Sequence, residues 1–224
     1  MNQKKLVGEK AATYIEDNTI VGLGTGSTAT YMVEALAKRV KEENLSLTSV
    51  STSNVTTKLA VELGLNVVEL EEVDEVDVTI DGADEITYDF QGIKGGGGAL
   101  LYEKIVAINT KKIIWIADDS KMVDHLGAFP LPVELIPFGS EHLFEKFKQK
   151  GYNPSYRMVD DESKFITDAG NIIIDLHLEK IEDPKALAKE LKSEVGVVDH
   201  GLFIDMVDHV IIGSDSGEVT ERFV

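Results

Sequence analysis

Residues 19–28 read Thr19-Ile20-Val21-Gly22-Leu23-Gly24-Thr25-Gly26-Ser27-Thr28, and the pattern of the chain changes at the glycines. Thr19 to Leu23 is a short β-branched run, hence a strand. Beyond Thr28, Val33, Leu36, Ala37 and Val40 recur at i, i+3, i+4 and i+7, the spacing of one helix face. A strand that breaks at glycines and passes into an amphipathic helix begins a βαβ unit.

The alternation continues on both sides. Residues 3–16 read as a helix, with Val7, Ala11 and Tyr14 on one face. Thr48 to Ser51 reads as a strand, and a helix starts at Asn54 or Thr56 and ends near Gly64. Asn66 to Glu69 and Val76 to Ile80 read as strands, Ala99 to Ile108 as a helix and Lys112 to Ala117 as a strand. This order predicts an α/β domain built on a mostly parallel sheet.

After Leu126 the character changes. Pro130, Pro132 and Pro137 surround a strand at Val133 to Ile136, and Ser140 to Lys150 follows as a helix. Strands are expected at Ser155 to Val159, Asn171 to Leu178 and Gly201 to Met206, with a helix from Asp183-Pro184 before the last of them. The resulting βαββαβ order is the split-βαβ, ferredoxin-like pattern. The expected organisation is therefore a parallel-sheet domain over residues 1–127 plus 206–224 and a smaller inserted α+β domain over residues 128–205.

The chain has 224 residues and no cysteine, which excludes disulfides, thiolate nucleophiles and cysteine-zinc sites. Its formal charge is −18, from 22 basic and 40 acidic side chains, so broad nucleic-acid binding is not expected. A site for an anionic ligand must then build its own positive field. The polar start of the chain and the lack of a bilayer-length apolar run point to a cytoplasmic protein with no membrane partner.

Ligands of open parallel sheets bind beyond the carboxyl ends of the strands. Four polar clusters follow predicted strands: Gly24 to Thr28, Ser51 to Asn54, Asp81 to Glu85 and Asp118 to Lys121. All four are expected on one rim. Gly24 to Thr28 suits an anion at a helix start, with hydroxyls from Thr25, Ser27 and Thr28, and it suits a tight capped turn equally well. A dinucleotide reading through Gly24, Gly26 and Ala29 is disfavoured, because Ser51-Thr52-Ser53-Asn54 supplies no acid for a ribose. No lysine precedes the Ser27-Thr28 pair, so the loop is not a Walker loop either.

Asp81, Asp84 and Glu85 form either a solvated acidic turn or carboxylates crowded for proton transfer. Metal binding is a third option, but the spacing is not that of a calcium loop and no histidine lies nearby. Lys94-Gly95-Gly96-Gly97-Gly98 is a cation followed by bare amides, the parts of an oxyanion cradle. Glu103 and Lys121 could each be ordinary surface charges at helix starts. The five histidines show no ligand spacing.

Taken together, Gly24-Thr25-Gly26-Ser27-Thr28, Asp81-Gly82-Ala83-Asp84-Glu85, Lys94-Gly95-Gly96-Gly97, Glu103-Lys104, Ala117-Asp118-Asp119-Ser120-Lys121 and Phe129-Pro130-Leu131-Pro132-Val133-Glu134 resemble ribose-5-phosphate isomerase type A. The resemblance runs over essentially the whole chain. Two departures are Gly98, where alanine is common, and Asp119, where a small residue is common. The resemblance implies a Rossmann-like domain beside a small α+β domain, no cofactor or metal, and a homodimer or homotetramer. It implies interconversion of D-ribose 5-phosphate and D-ribulose 5-phosphate through an enediolate, in the pentose phosphate pathway.

It also implies roles. Glu103 would be the base, and Lys94 with the amides of Gly95, Gly96 and Gly97 would stabilise the enediolate oxygen. Asp81 and Asp84 would hold sugar hydroxyls within the Asp81-Gly82-Ala83-Asp84 loop, with Asp81 opening the furanose ring. Thr25, Gly26, Ser27 and Thr28 would bind sugar or phosphate, Lys121 would add positive charge, and Lys4 would help with phosphate. Two other classes compete: a non-catalytic sugar-phosphate sensor, for which the first strand near residue 19 leaves no room for a DNA-binding segment, and a CoA-transferase-like enzyme with a glutamate nucleophile.

Overall fold

The computed structural model describes residues 2–224. The first elements are α1 (Gln3–Ala12), β1 (Ile20–Leu23), α2 (Ser27–Glu43), β2 (Thr48–Ser51), α3 (Asn54–Glu62) and β3 (Val76–Gly82). Two short strands, β4 (Glu85–Thr87) and β5 (Gly92–Ile93), precede α4 (Leu100–Ile108), β6 (Thr110–Asp118) and β7 (Met122–Val123). There follow β8 (Leu131–Leu135), α5 (Ser140–Gln149), β9 (Pro154–Tyr156), β10 (Ile172–Leu176), α6 (Pro184–Lys192) and β11 (Val197–His200). The chain ends with β12 (Leu202–Phe203), β13 (His209–Gly213) and β14 (Val219–Phe223).

The chain divides into two compact units. Among the described residues the first holds 2–83, 102–122 and 206–224. Its six-stranded sheet has the order β14-β13-β6-β3-β1-β2, parallel throughout except for the β13–β14 pair. Ile113 to Ala117 of β6 are all buried, as expected of a central strand covered on both faces. Val7, Ala11, Met32, Val33 and Leu36 from α1 and α2 pack with Leu23, Ile80, Ile114 and Ile116 of the sheet. Each large aliphatic side chain so buried contributes about 1.5–3 kcal/mol of transfer free energy.

The second unit holds residues 84–101 and 123–205. Its main sheet has the order β11-β8-β10-β9, with all pairs antiparallel. Counted along the βαββαβ segment this is strand order 4-1-3-2, the ferredoxin-like arrangement expected from the sequence. Leu131, Val133 and Leu135 of β8 pack with Leu143, Phe147 and Leu191 of the helices. In a smaller sheet β5 lies between β4 and β12, antiparallel to both.

Three expectations differ from the structure. The last strand of the βαββαβ segment is Val197–His200, not residues 201–206. At Gly201 the chain passes so close to Pro132 and to the carbonyl of Lys94 that a Cβ would collide with both, and Leu202–Phe203 pairs with β5 instead. Asn66 to Glu69 makes only a bridge from Val67 to Ser49, because Glu69 and Glu72 form a capping box that turns the backbone into a short 3-10 helix. Residues 84–101 group with the second unit, whereas their sequence suggested the first. Strands of two and three residues are too short for periodicity to reveal. No helix among the described residues is long and apolar enough to cross a membrane.

Candidate active site

In the first unit the register of the parallel strands brings Leu23, Ser51 and Ile80 level, and Asp118 level with Gly213. The loops that follow β1, β2, β3 and β6 therefore leave one rim of the sheet, as the sequence suggested. Asp81, only 2 % exposed, is the last but one residue of β3. Its Oδ1 accepts the backbone N–H of Thr25 at 3.0 Å and that of Gly82 at 2.7 Å. A Cβ on Gly24 would lie 2.2 Å from that same oxygen, so only glycine lets the loop approach.

The Thr25 hydroxyl is the centre of a second network. Its Oγ1 lies 2.7 Å from Thr52 Oγ1 and donates to Ser53 Oγ at 2.8 Å. Thr56 Oγ1 in turn donates to the carbonyl of Gly24 at 3.0 Å. This ties the Gly24 to Thr28 loop to the Ser51 to Asn54 cluster. Gly26 is the N-cap of α2 and supplies no side-chain acceptor, so the first-turn amides and the positive end of a 17-residue helix face the loop. Ser27, in that first turn, accepts a hydrogen bond from Lys4 Nζ at 2.8 Å. A cation, hydroxyls and a helix start are the parts that an anion site needs. The tight-turn reading of this loop explains its glycines but not the lysine.

Glu103 stands in the first turn of α4 and is 4 % exposed. It shares a helix face with Val106, which packs against Val50 and Val76 of the sheet. The far end of the helix is fixed where the carbonyl of Asn109 accepts the N–H of Val76, at the amino end of β3. Glu103 lies six residues before Asn109, about 9 Å along the helix toward the opposite rim. A surface acid matched only to a helix dipole would not be buried on the sheet side. Lys121 ends a short 3-10 helix after β6, capped where Asp118 Oδ1 accepts the N–H of Ser120.

In the second unit Asp84 and the glycine run are joined. Asp84 Oδ2 accepts the N–H of Gly96 at 2.8 Å, and the Asp84 N–H donates to the carbonyl of Ile93. A Cβ on Gly96 would lie 2.6 Å from Asp84 Oδ1. Lys94, 2 % exposed, follows β5, and its Nζ stands 5.3 Å from the ring centroid of Phe203. Its backbone N–H donates to the carbonyl of Gly201 at 2.9 Å. Glu85 faces elsewhere: its carboxylate accepts the N–H groups of Gly127 and Phe129 at 2.7 and 2.6 Å and holds that loop. Gly98 also has a structural role, since a Cβ there would lie 2.4 Å from the Phe165 ring.

Two features escaped the sequence reading. One is the direct contact of the Thr25 hydroxyl with Thr52, Ser53 and Thr56, although Ser51 to Asn54 was expected on the same rim. The other is Arg157, whose Nη1 donates to the carbonyls of Gly95 and Gly96 at 2.6 and 3.2 Å. The available signal was that Arg157 is one of three arginines in the chain and lies inside an expected strand. No group of three or more histidine, aspartate or glutamate side chains among the described residues is arranged to hold a metal ion. A cavity of about 370 Å³ beside β2 touches Ser53, Asn54 and Tyr102. Glu69, Glu71 and Glu72 line it too, which is the wrong charge for a phosphate.

The family model for ribose 5-phosphate isomerase A (phosphoriboisomerase A) matches residues 48–217. The chain belongs to the ribose 5-phosphate isomerase A family. It is 59 % identical over 225 residues to ribose-5-phosphate isomerase A of Lactiplantibacillus plantarum, covering 99 % of each chain. It is likewise 59 % identical over 220 residues to the Enterococcus faecalis protein of that name, covering 98 % of this chain and 97 % of that one. Among solved structures, a D-ribose-5-phosphate isomerase in complex with phospho-erythronic acid matches with a TM-score of 0.95 at 36 % identity, covering all of both chains. Ribose 5-phosphate isomerase A of Methanocaldococcus jannaschii matches with a TM-score of 0.94 at 36 % identity, covering 100 % of this chain and 99 % of that one.

For a ribose 5-phosphate isomerase A the two polar groupings make chemical sense. Asp81 and the Thr25 network belong to the first unit, and Asp84, Lys94 and the glycine run to the second. Each grouping pairs a carboxylate with backbone amides, so each can orient hydroxyl groups of a sugar.

Proposed function

We propose that this isomerase interconverts D-ribose 5-phosphate and D-ribulose 5-phosphate by moving a proton between C2 and C1, with Glu103 as the base. The observation that carries the proposal is Glu103 itself, a carboxylate withheld from solvent on the sheet side of α4 near its start. Removal of the C2 proton leaves an enediolate, and the same carboxyl group, after its hydrogen exchanges with solvent, delivers a proton to C1. Positioned acid-base help of this kind contributes about 10²–10⁴-fold in rate.

Lys94 and the amides of Gly95 and Gly97 are assigned to the enediolate oxygen, while the Gly96 N–H, expected to join them, is held by Asp84. A pre-aimed donor of that type contributes roughly 3 kcal/mol. The relative bound to phospho-erythronic acid supports this reading, because a carboxylate spreads negative charge over two oxygens as an enediolate does. Asp81 opens the furanose ring, and Asp81 and Asp84 hold hydroxyls through the loop that includes Gly82 and Ala83. Thr25, Gly26, Ser27 and Thr28 receive the phosphate together with Lys4, and Lys121 adds positive charge. The proposal includes action in the cytoplasm without a cofactor, as a homodimer or homotetramer. It also takes the parallel-sheet unit as the Rossmann-like domain and the antiparallel-sheet unit as the small one.

The deciding experiment is incubation with ribose 5-phosphate in D₂O, followed by NMR. The expected result is ketose carrying deuterium at C1. Ketose formed without deuterium would point to a hydride shift, and binding without conversion would point to a sensor.

A further inference from the structure

Arg157 lies just beyond β9, and its backbone sits in a short hairpin: its N–H donates to Ile173, and its carbonyl accepts the N–H of Phe165. Its side chain is 15 % exposed and is gripped by Asp175 of β10, which is equally buried. The contact is two-pronged, with Nε at 3.0 Å from Asp175 Oδ2 and Nη2 on Oδ1. A fork held at both prongs leaves Nη1 with one direction to point. It points at the carbonyls of Gly95 and Gly96.

In a trans peptide the C=O and the following N–H are opposed across one plane. Pinning the Gly95 carbonyl to Arg157 therefore turns the Gly96 N–H the other way, where Asp84 receives it. Pinning the Gly96 carbonyl likewise turns the Gly97 N–H away from Arg157. Phe165, beside Arg157 in the same hairpin, fills the space against Gly98. The Gly98 N–H also donates to the Gly95 carbonyl at 2.9 Å, so Arg157 reinforces that turn at Gly95 and adds a hold on the Gly96 carbonyl.

We infer that Arg157, held by Asp175, is a positioning residue for catalysis: it sets the peptide planes that follow Gly95 and Gly96, so that the Gly96 N–H is held on Asp84 and the Gly97 N–H faces the enediolate. This rests on the assignment of the glycine run to the enediolate oxygen. Arg157 reaches the glycine run only through backbone carbonyls, so its loss should act on turnover more than on substrate affinity. Lysine keeps the charge but cannot engage Asp175 at two points and two carbonyls at once.

The test compares wild type with Arg157→Lys and Asp175→Asn by steady-state kinetics on ribose 5-phosphate, titration with phospho-erythronic acid and thermal unfolding. Misplacing a catalytic group by about 1 Å can cost on the order of 10²-fold. The expected result for Arg157→Lys is a kcat lower by ~10–100-fold with KM within about threefold. Phospho-erythronic acid binding should weaken by a similar factor, and the unfolding midpoint should stay close to wild type. Asp175→Asn should show the same kcat-weighted loss to a smaller degree. Wild-type kcat and analogue binding in both variants would overturn the inference while leaving the isomerase reading intact. So would losses of kcat that merely follow a collapsed unfolding midpoint in both. A wild-type protein that does not isomerise ribose 5-phosphate would instead overturn the functional reading, and this inference with it.

Discussion

Asp81 stands directly behind Gly24, its Oδ1 2.2 Å from where a Cβ on that glycine would be. The same oxygen accepts the N–H groups of Thr25 and Gly82. A methyl group at position 24 must displace either the carboxylate or the loop. Gly24→Ala is expected to lower stability by about 1–3 kcal/mol, as over-packing does, and to lower kcat/KM as Asp81 moves. Thermal unfolding and initial rates on ribose 5-phosphate check both. A variant matching wild type in each would mean that this contact does not constrain Asp81.

Glu103→Gln keeps the size of the side chain and removes its ability to accept a proton. The expected outcome is a loss of kcat of roughly 10²–10⁴-fold, with the unfolding midpoint and phospho-erythronic acid binding close to wild type. Activity within a few-fold of wild type would take the base role away from Glu103.

Lys4 donates to Ser27 Oγ at the start of α2. In a chain of net charge −18, a local cation is what lets a phosphate approach. Lys4→Met is expected to raise KM for ribose 5-phosphate by about tenfold or more, the effect of losing one charged hydrogen bond, with a much smaller change in kcat. Added salt should narrow the difference between variant and wild type. A KM unchanged at low salt would place the phosphate elsewhere.

The last strands of the first unit carry a pH-sensitive cluster. Burial holds His209 below its ordinary 6.5, although Glu221 beside it pulls the other way. Burial pushes Glu221 up, but hydrogen bonds from Tyr14 and Lys10 outweigh it and keep Glu221 below 4.5. The hydrogen bond to Glu221, then burial, pushes Tyr14 up from 10.0 to about 12. The depressed His209 and Glu221 contribute stability that is lost as pH falls below 6.5 and then below 4.5. The raised Tyr14 contributes stability that is lost as pH climbs from 10.0 through about 12. Urea unfolding across pH should thus show a plateau between 6.5 and 10.0, and Tyr14→Phe should flatten the alkaline side. An alkaline slope unchanged in Tyr14→Phe would refute the assignment.

Much of this was legible in the residues. The helix face of Val33, Leu36 and Ala37 and the apolar strands of the first unit carry strong periodicity, and burial follows it. The polar clusters that begin at Gly24, Ser51, Asp81 and Asp118 could be placed on one rim because parallel topology leaves them no other. The β4–β5 hairpin could not be read, since five strand residues show no period and their pairing with Leu202 and Phe203 joins distant parts of the chain. Arg157 was invisible for a related reason: its function lies in a contact with Gly95, 62 positions away, and a lone arginine in a strand announces no such partner. Glu85, next to Asp84 in sequence, turned out to hold the Gly127 to Phe129 loop, which adjacency alone could not show.

The four glycines from Gly95 to Gly98 are the part of this chain with the most conformational freedom to lose. Fixing a backbone residue costs about 1–2 kcal/mol in entropy. Arg157, Asp84 and Phe165 already contact this run in the folded protein, at Gly95, Gly96 and Gly98. Its ordering is therefore met once, when the chain folds, and is not charged again to every molecule of sugar that arrives.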